Sequence, residues 1–343
     1  SLSNPEDIKI GFESTAHYAL NLELFLENAH HSFMEVNPVL IKEYKKSTTL
    51  RRTKTDSVDC ESIARWLITV EYKPHSKGFY HAYSLKSLTR LRDRLIRQRS
   101  FYLVKITNVL DHTFPEFKPF FNERLSKTAL YLLENYGSAE KMARMNSASY
   151  DKLRCISRGK FSIQQFLRLK ELAANTVGVN NSIFDLELNT LLTLYKSLSD
   201  EINTLETEII KLIEEVHPHY MSIPGIGPIS AAVIYAEYGD ISNFSNPSQM
   251  LAFAGIEPGI NDSGTESHGG RMVKHGSSQL RYVLLNACLP LIRFDLTFAT
   301  YYEKKRAEGK KHRVAITHVA KKLIRVIYAL ERQDVDFNAQ KLR

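Results

Sequence analysis

The chain has 343 residues, 43% hydrophobic and 24% charged, with a net charge of +8 and a pI near 9.2. That size and balance predict a soluble globular protein of two or three domains, with a basic excess suited to a polyanionic partner. Three widely spaced cysteines, Cys60, Cys155 and Cys288, exclude a disulfide framework or zinc pattern and suit a reducing cytoplasm; no uncharged apolar run reaches the length of a membrane span, and no signal peptide is visible.

Residues 8–12 alternate like a strand that closes on Glu13. Ser14 and Thr15 offer caps for an amphipathic helix with Tyr18, Leu22, Phe25 and Leu26 on its apolar face. Phe33, Met34, Glu35 and Val36 read as a second strand, stopped by Asn37-Pro38. Strand, helix, strand is a parallel crossover, and two parallel strands do not make an independently stable sheet. Because the later segments read as helical, further strands are expected upstream of Ser1. Glu13 ends its strand, where open α/β sheets bind ligands.

Arg51-Arg52-Thr53-Lys54-Thr55-Asp56-Ser57-Val58-Asp59 sets two carboxylates among cations, ahead of a helical face of Ile63, Ala64, Trp66 and Leu67. Asp56 and Asp59 are three apart and share one face of a helix, where like charges repel by roughly 0.2–0.5 kcal/mol. A hard divalent cation converts that repulsion into coordination. The alternative is structural: Thr55 or Asp56 caps the helix and Asp59 complements its dipole.

Residues 85–109 form one long basic helix with a leucine stripe of Leu85, Leu88, Leu91 and Leu95. Lys86, Arg90, Arg92, Arg94, Arg97 and Arg99 cover the rest of it, a bias that fits phosphate contacts. Shorter helices fill residues 122–180. A heptad seam follows at Leu188, Leu191, Tyr195, Leu198, Ile202, Leu205, Ile209, Leu212 and Val216. It predicts a coiled coil within the chain or between chains, and self-association is expected from it.

Ile223-Pro224-Gly225-Ile226-Gly227 is a tight turn before an apolar helix over 229–238, with backbone amides suited to a phosphate. It is similar to the hairpin of helix-hairpin-helix DNA-binding elements; an ordinary helix–helix turn is the alternative. A short helix over 244–255 leads to a polar, glycine-rich loop with Ser263-Gly264, then Arg271, Lys274 and Arg281. A serine hydroxyl there needs a base or a metal to become a nucleophile, and the cations stabilise transition-state charge. Lys304 to Arg313 is strongly basic. The last helix has an apolar face of Ile316, Val319, Leu323, Ile327 and Leu330, and a phosphate-facing side with Lys321, Lys322 and Arg325.

Glu13-Ser14-Thr15-Ala16-His17-Tyr18, Val36-Asn37-Pro38, the Lys54-Thr55-Asp56-Ser57-Val58-Asp59 run, the Pro224–Gly227 turn, Phe253-Ala254-Gly255-Ile256-Glu257-Pro258 and the Ser263 loop with Arg271, Lys274, Gly276, Leu280 and Arg281 occur in one order. In that order they resemble the DEDD-type insertion-sequence transposases, the insertion sequence one-ten family. The resemblance implies an α/β plus mostly α architecture: a partial RuvC-like (RNase H-like) domain with the basic helix over 1–120, a helical linker over 121–180, a coiled coil over 181–217 and a helical transposase domain over 218–343. It implies that Glu13, Asp56 and Asp59 are three of four acidic ligands for Mg²⁺ or Mn²⁺, and that Ser263 is the nucleophile of a serine–DNA intermediate.

The resemblance further implies DNA partners (element ends and target), a structured guide RNA encoded by the element, and a dimer or tetramer in which one protomer's metal site meets another's serine. Lys54, Arg90, Arg94, Arg97, Gly225, Gly227, Arg271, Lys274 and Arg281 are the candidate nucleic-acid contacts. No Gly-Ile-Asp element precedes Glu13, so the first acid and its strands are expected upstream. A structure-selective nuclease using water, or an inactive DNA-binding remnant, are the alternatives.

Overall fold

The computed structural model describes residues 8–13, 19–36, 38–48, 55–72, 79–122, 125–263, 266–272 and 276–342. The chain divides into two units, residues 1–81 with 239–245, and residues 82–238 with 246–343.

The first unit runs β1 (Ile10–Glu13), α1 (Ala19–Asn28), β2 (Phe33–Val36), α2 (Pro38–Thr48), α3 (Asp56–Thr69). β1 and β2 are parallel, with Ile10 opposite Phe33 and Glu13 opposite Val36, as the strand–helix–strand pattern predicts. Tyr72 ties the two strand starts together: its hydroxyl accepts from Ile10 N at 3.3 Å and lies 3.1 Å from Ile10 O and 3.0 Å from Ser32 O. α3 lies close on β1, since a Cβ on Gly11 would come within 2.6 Å of Leu67 Cδ1. Val36, Ile41, Ile63 and Leu67 form the core, with Met34, Trp66 and Tyr72 against it. The buried face of α1 differs from the expected one. Ala19, Glu23 and Leu26 are buried, whereas Leu22 and Phe25 are exposed and Tyr18 lies outside the described residues.

The second unit is helical apart from one hairpin: α4 (Phe79–Thr113), α5 (Phe117–Phe120), α6 (Lys127–Tyr136), α7 (Ala139–Ala143), α8 (Ser147–Ile156), α9 (Ile163–Ala174), α10 (Ser182–Val216), α11 (Pro228–Tyr238), α12 (Pro247–Ala254), β3 (Pro258–Ser263), β4 (Glu266–Met272), α13 (Ser278–Phe294), α14 (Leu296–Ala307) and α15 (His312–Gln333), with α4 beginning at the boundary between the two residue ranges. Ser126, Ser138, Asn146 and Ser162 start α6 to α9, each accepting from an amide of the first turn. These helices close a core around Phe114, Phe117, Leu133, Met142, Leu153 and Leu169.

α4 and α10 run antiparallel. Arg92 binds Glu206 near one end of the pair, and His112 stacks on Phe184 at 5.9 Å near the other. The heptad seam therefore has its cover inside the chain. Leu188, Ile202 and Ile209 are buried, and the other six seam positions are at least half-buried against α4, α6 and α11. Cover within the chain is one of the two arrangements expected from the spacing, and here the 35-residue helix has an antiparallel neighbour. Among the described residues no single helix is long and apolar enough to cross a membrane.

Candidate active site

α3 begins where its sequence says it should. Thr55 has extended backbone (φ −140°, ψ 153°) and its side chain accepts from Val58 N. Asp56 and Asp59 occupy the first turn, where carboxylates complement the helix dipole. The structural alternative therefore holds for this turn, and it does not exclude a second use of the same oxygens. Asp56 is exposed. Asp59 is about three-quarters buried and ion-paired with Lys45 of α2. Lys45 was not visible as a site residue, because nothing in the local pattern of α2 marks it. Glu13 ends β1 opposite Val36, at the carboxyl edge of the parallel pair.

The donor chemistry suits a hard divalent cation, since all three groups offer carboxylate oxygen. Among the described residues, however, no three His, Cys, Asp or Glu side chains converge closely enough to hold one. The ammonium of Lys45 is the cation that Asp59 binds in this structure.

The serine stretch is not a loop. β3 and β4 form an antiparallel hairpin with Ser263 opposite Glu266 and a bulge between Pro258 and Ile260. Ser263 is the last residue of β3, beside the Gly264-Thr265 connection, which lies outside the described residues. The hairpin's foot is held at both ends. Gly255 ends α12 in the left-handed region (φ 65°), and Ser277 donates its N–H to Phe253 O at 3.1 Å while capping α13. A Cβ on Gly276 would collide with the Phe253 carbonyl, so only glycine fits there.

The candidate nucleic-acid contacts separate into three groups. Arg90 is engaged: its guanidinium grips Glu237 of α11 through Nε (3.0 Å) and Nη2 (3.2 Å). The Glu237 side chain is only 2% exposed, and a buried carboxylate requires a counter-charge. In this structure Arg90 thus serves as the counter-ion of Glu237, with half of its side chain still exposed. Arg281 likewise works internally, donating from Nη1 to Ala254 O at 3.1 Å and so satisfying an end carbonyl of α12. Gly225 belongs here too. Pro224 and Gly225 are the central residues of a turn closed by Ile226 N to Ile223 O at 3.0 Å, with Gly225 at φ +97°. A Cβ on Gly225 would sit 2.7 Å from Pro290 Cγ of α13, so this glycine serves helix packing.

Arg94, Arg97 and Gly227 remain outward-facing. Arg94 is exposed, Arg97 is exposed and paired only with Asp93 one turn before it, and a Cβ on Gly227 would meet open space. Lys54 and Lys274 lie outside the described residues, as does the Arg271 side chain; the Arg271 backbone lies in β4.

The first unit thus presents carboxylates at a strand end and a helix start, and the second carries a serine at the end of a β-strand. A transposase family model of the DEDD IS110 type matches residues 1–115, and the Transposase IS116/IS110/IS902 family model matches residues 218–303. The chain belongs to the IS110 family of DEDD transposases. It is 27% identical over 245 residues (69% of this chain, 60% of the relative) to the insertion element IS110 uncharacterized 43.6 kDa protein of Streptomyces coelicolor. It is 28% identical over 298 residues (81% and 71%) to the insertion element IS900 uncharacterized 42 kDa protein of Mycobacterium paratuberculosis. It is 25% identical over 260 residues (75% and 59%) to the transposase for insertion sequence element IS1111A of Coxiella burnetii. The matched stretch thus spans about three-fifths of the Streptomyces and Coxiella proteins' own length.

Proposed function

We propose that this chain is the recombinase of an insertion sequence, cutting and rejoining DNA through a serine–DNA intermediate. The observation that carries the reading is the hairpin: Ser263 stands at the end of a β-strand whose foot is locked between α12 and α13. Such a serine is positioned by rigid elements rather than by a free loop, as a nucleophile requires. Its hydroxyl oxygen bonds to the scissile phosphorus, the bond from phosphorus to the leaving sugar oxygen breaks, and that oxygen takes up the proton. The reverse attack by a sugar hydroxyl rejoins the strand and frees the serine.

Glu13, Asp56 and Asp59 would hold a divalent cation, Mg²⁺ or Mn²⁺, with Lys45 displaced from Asp59. A cation so held polarises the phosphate and stabilises its added charge. Arg271 and Lys274 flank the serine hairpin in sequence and supply the backbone clamp, with Arg281 bracing it from within through Ala254 O; the amide of Gly227 and the side chains of Lys54, Arg94 and Arg97 extend it. A structured guide RNA belongs to the same proposal by family membership. Assembly into a dimer or tetramer uses the apolar surface that α4 and α10 leave exposed, including Phe101, Val104, Leu186 and Leu194. Ser263→Ala is expected to abolish a covalent protein–DNA species resolved by denaturing electrophoresis while leaving duplex binding within about twofold of the parent, a change under ~0.5 kcal/mol. Survival of that species would remove Ser263 from the mechanism and favour water as nucleophile.

A further inference from the structure

The positive charge of this protein is concentrated in stretches. Residues 303–325 contain nine Lys and Arg against two Glu, a net charge of +7 in one helical hairpin. That hairpin, α14 and α15 with their connection, is rigidly built. Gly309 (φ +77°) closes α14 with Lys310 N bonded to Lys305 O and Gly309 N to Arg306 O, the paired bonds of a glycine C-cap. Arg306 Nη1 donates to Lys310 O at 2.7 Å, and Tyr302 Oη meets His312 Nδ1 at 2.7 Å across the connection. Lys322 lies over the rings of Phe298 and Tyr301. The apolar side of α15 is buried from Ala315 to Leu330, so its charged side has one fixed orientation.

On that side His318, Lys321 and Arg325 follow at steps of three and four, one stripe along the helix. Lys304, Lys310, Lys311 and Arg313 are exposed at its start, and none of them has a carboxylate within ion-pair distance among the described residues. Lys305 is the exception in this group, being held by Glu308. Burial, with Lys321, Lys305 and Lys310 around it, pushes His318 below the ordinary imidazole value, against an opposing contribution from Glu308. The stripe thus repels itself. α15 packs against α12, whose C-cap Gly255 opens the foot of the β3–β4 hairpin, and Lys321 feels the charge of Glu257, the residue directly before β3. The stripe therefore leads from the α14–α15 turn to the foot of the hairpin that carries Ser263.

We infer that the α14–α15 hairpin is a docking surface for the phosphate backbone of duplex DNA, with the His318, Lys321 and Arg325 stripe directing the duplex toward the Ser263 hairpin. This rests on the recombinase reading for its choice of DNA. From residue 311 to residue 325 a helix spans about 21 Å, the length of about six base-pair steps at ~3.4 Å each. A straight cationic edge of that length fits a stiff polyanion, and its cations displace condensed counter-ions from the duplex phosphates on binding.

The test is binding of the full chain to a 30-base-pair duplex, about the size of a typical operator-length probe, by fluorescence anisotropy across a salt series. The probe variant carries Lys304→Gln, Lys310→Gln, Lys311→Gln and Arg313→Gln. A control removes equal charge elsewhere, through Lys152→Gln, Arg154→Gln, Arg158→Gln and Lys160→Gln, all exposed. The probe variant is expected to lower the slope of log affinity against log salt by about 3.6, at ~0.9 per lost phosphate contact, with the control near the parent. Lys321→Gln with Arg325→Gln is expected to lower it by about 2. An unchanged slope in the probe variant, an equal fall in the control, or a larger loss for duplex RNA than for duplex DNA would each overturn the inference. The covalent serine–DNA species is scored separately: if it forms in the parent while the slopes do not move, the docking surface fails and the recombinase reading stands. If the parent binds no duplex, both fail.

Discussion

Arg90 and Glu237 give the sharpest test of how a surface arginine differs from a phosphate ligand. Glu237 is almost wholly buried, and the Arg90 guanidinium covers it with two hydrogen bonds while half of the arginine stays in water. Arg90→Ala strands the carboxylate. Breaking a buried pair this way costs about 3–5 kcal/mol, and solvent access on the arginine side places the expectation at the low end, about 3 kcal/mol. For a unit of this size that is a fall in Tm of about 6–10 °C. Glu237→Gln leaves only a half-exposed arginine without its partner and is expected to cost about 1 kcal/mol. The double variant should resemble Glu237→Gln, so the cycle yields a coupling of about 3 kcal/mol. Thermal unfolding of the four proteins, with duplex binding measured alongside, decides the matter. If Arg90→Ala keeps the parental Tm but loses duplex affinity, Arg90 is a phosphate ligand and the counter-ion argument is wrong.

Gly225→Ala forces a side chain at φ +97° into Pro290 and should destabilise by roughly 1–3 kcal/mol, whereas Gly227→Ala should leave Tm unchanged; denaturant unfolding separates them, and equal losses would refute the packing role. Lys45→Met frees Asp59, so Mn²⁺ affinity read by electron paramagnetic resonance should rise about fivefold, the equivalent of an ion pair worth up to ~1 kcal/mol; weaker binding would make Lys45 part of the site instead. His219 places Nε2 2.9 Å from Asp334 Oδ1 and Nδ1 2.9 Å from Asp336 Oδ1, with Glu331 nearby, and these carboxylates raise its pKa. Both ring nitrogens donate only in the imidazolium, so the clasp on residues 334–336 is complete below the ordinary imidazole value and is lost as pH rises through the raised one. Hydrogen exchange at Val335 and Phe337, taken relative to the intrinsic base-catalysed rate, should accelerate over that window, and His219→Asn should abolish this added pH dependence.

What was legible locally came out as expected. The alternation in residues 8–12 and 33–36, the Thr55 cap and the heptad spacing of α10 are short-range signals, and the structure has β1, β2, α3 and α10 there. The serine hairpin was hidden because Pro-Gly-Ile-Asn-Asp-Ser and Glu-Ser-His-Gly-Gly-Arg-Met have almost no β-branched residues, so composition argues against strands that pairing nonetheless forms. Arg90 looked free because its partner lies 147 positions away. The rotation of the α1 face, which buries Glu23 and exposes Phe25, has the same origin: burial is decided by what covers a helix, and periodicity alone leaves two neighbouring faces nearly equivalent. Distances between the acids and Ser263 are likewise no property of their spacing in the chain.

The locked foot of the serine hairpin bears on how such a protein changes over time. Where Phe253 meets Ser277 and Gly276, the chain leaves the helical core and re-enters it at almost the same point. The excursion between them is a closed cassette, and lengthening a closed excursion costs little, roughly 0.6 kcal/mol per doubling. Strand length, turn and side chains there can vary with no shift in α12 or α13. Ser263 is therefore carried on the part of the molecule most free to be retuned, while the residues that hold the foot of its hairpin, Gly255, Gly276 and Ser277, belong to the part least free.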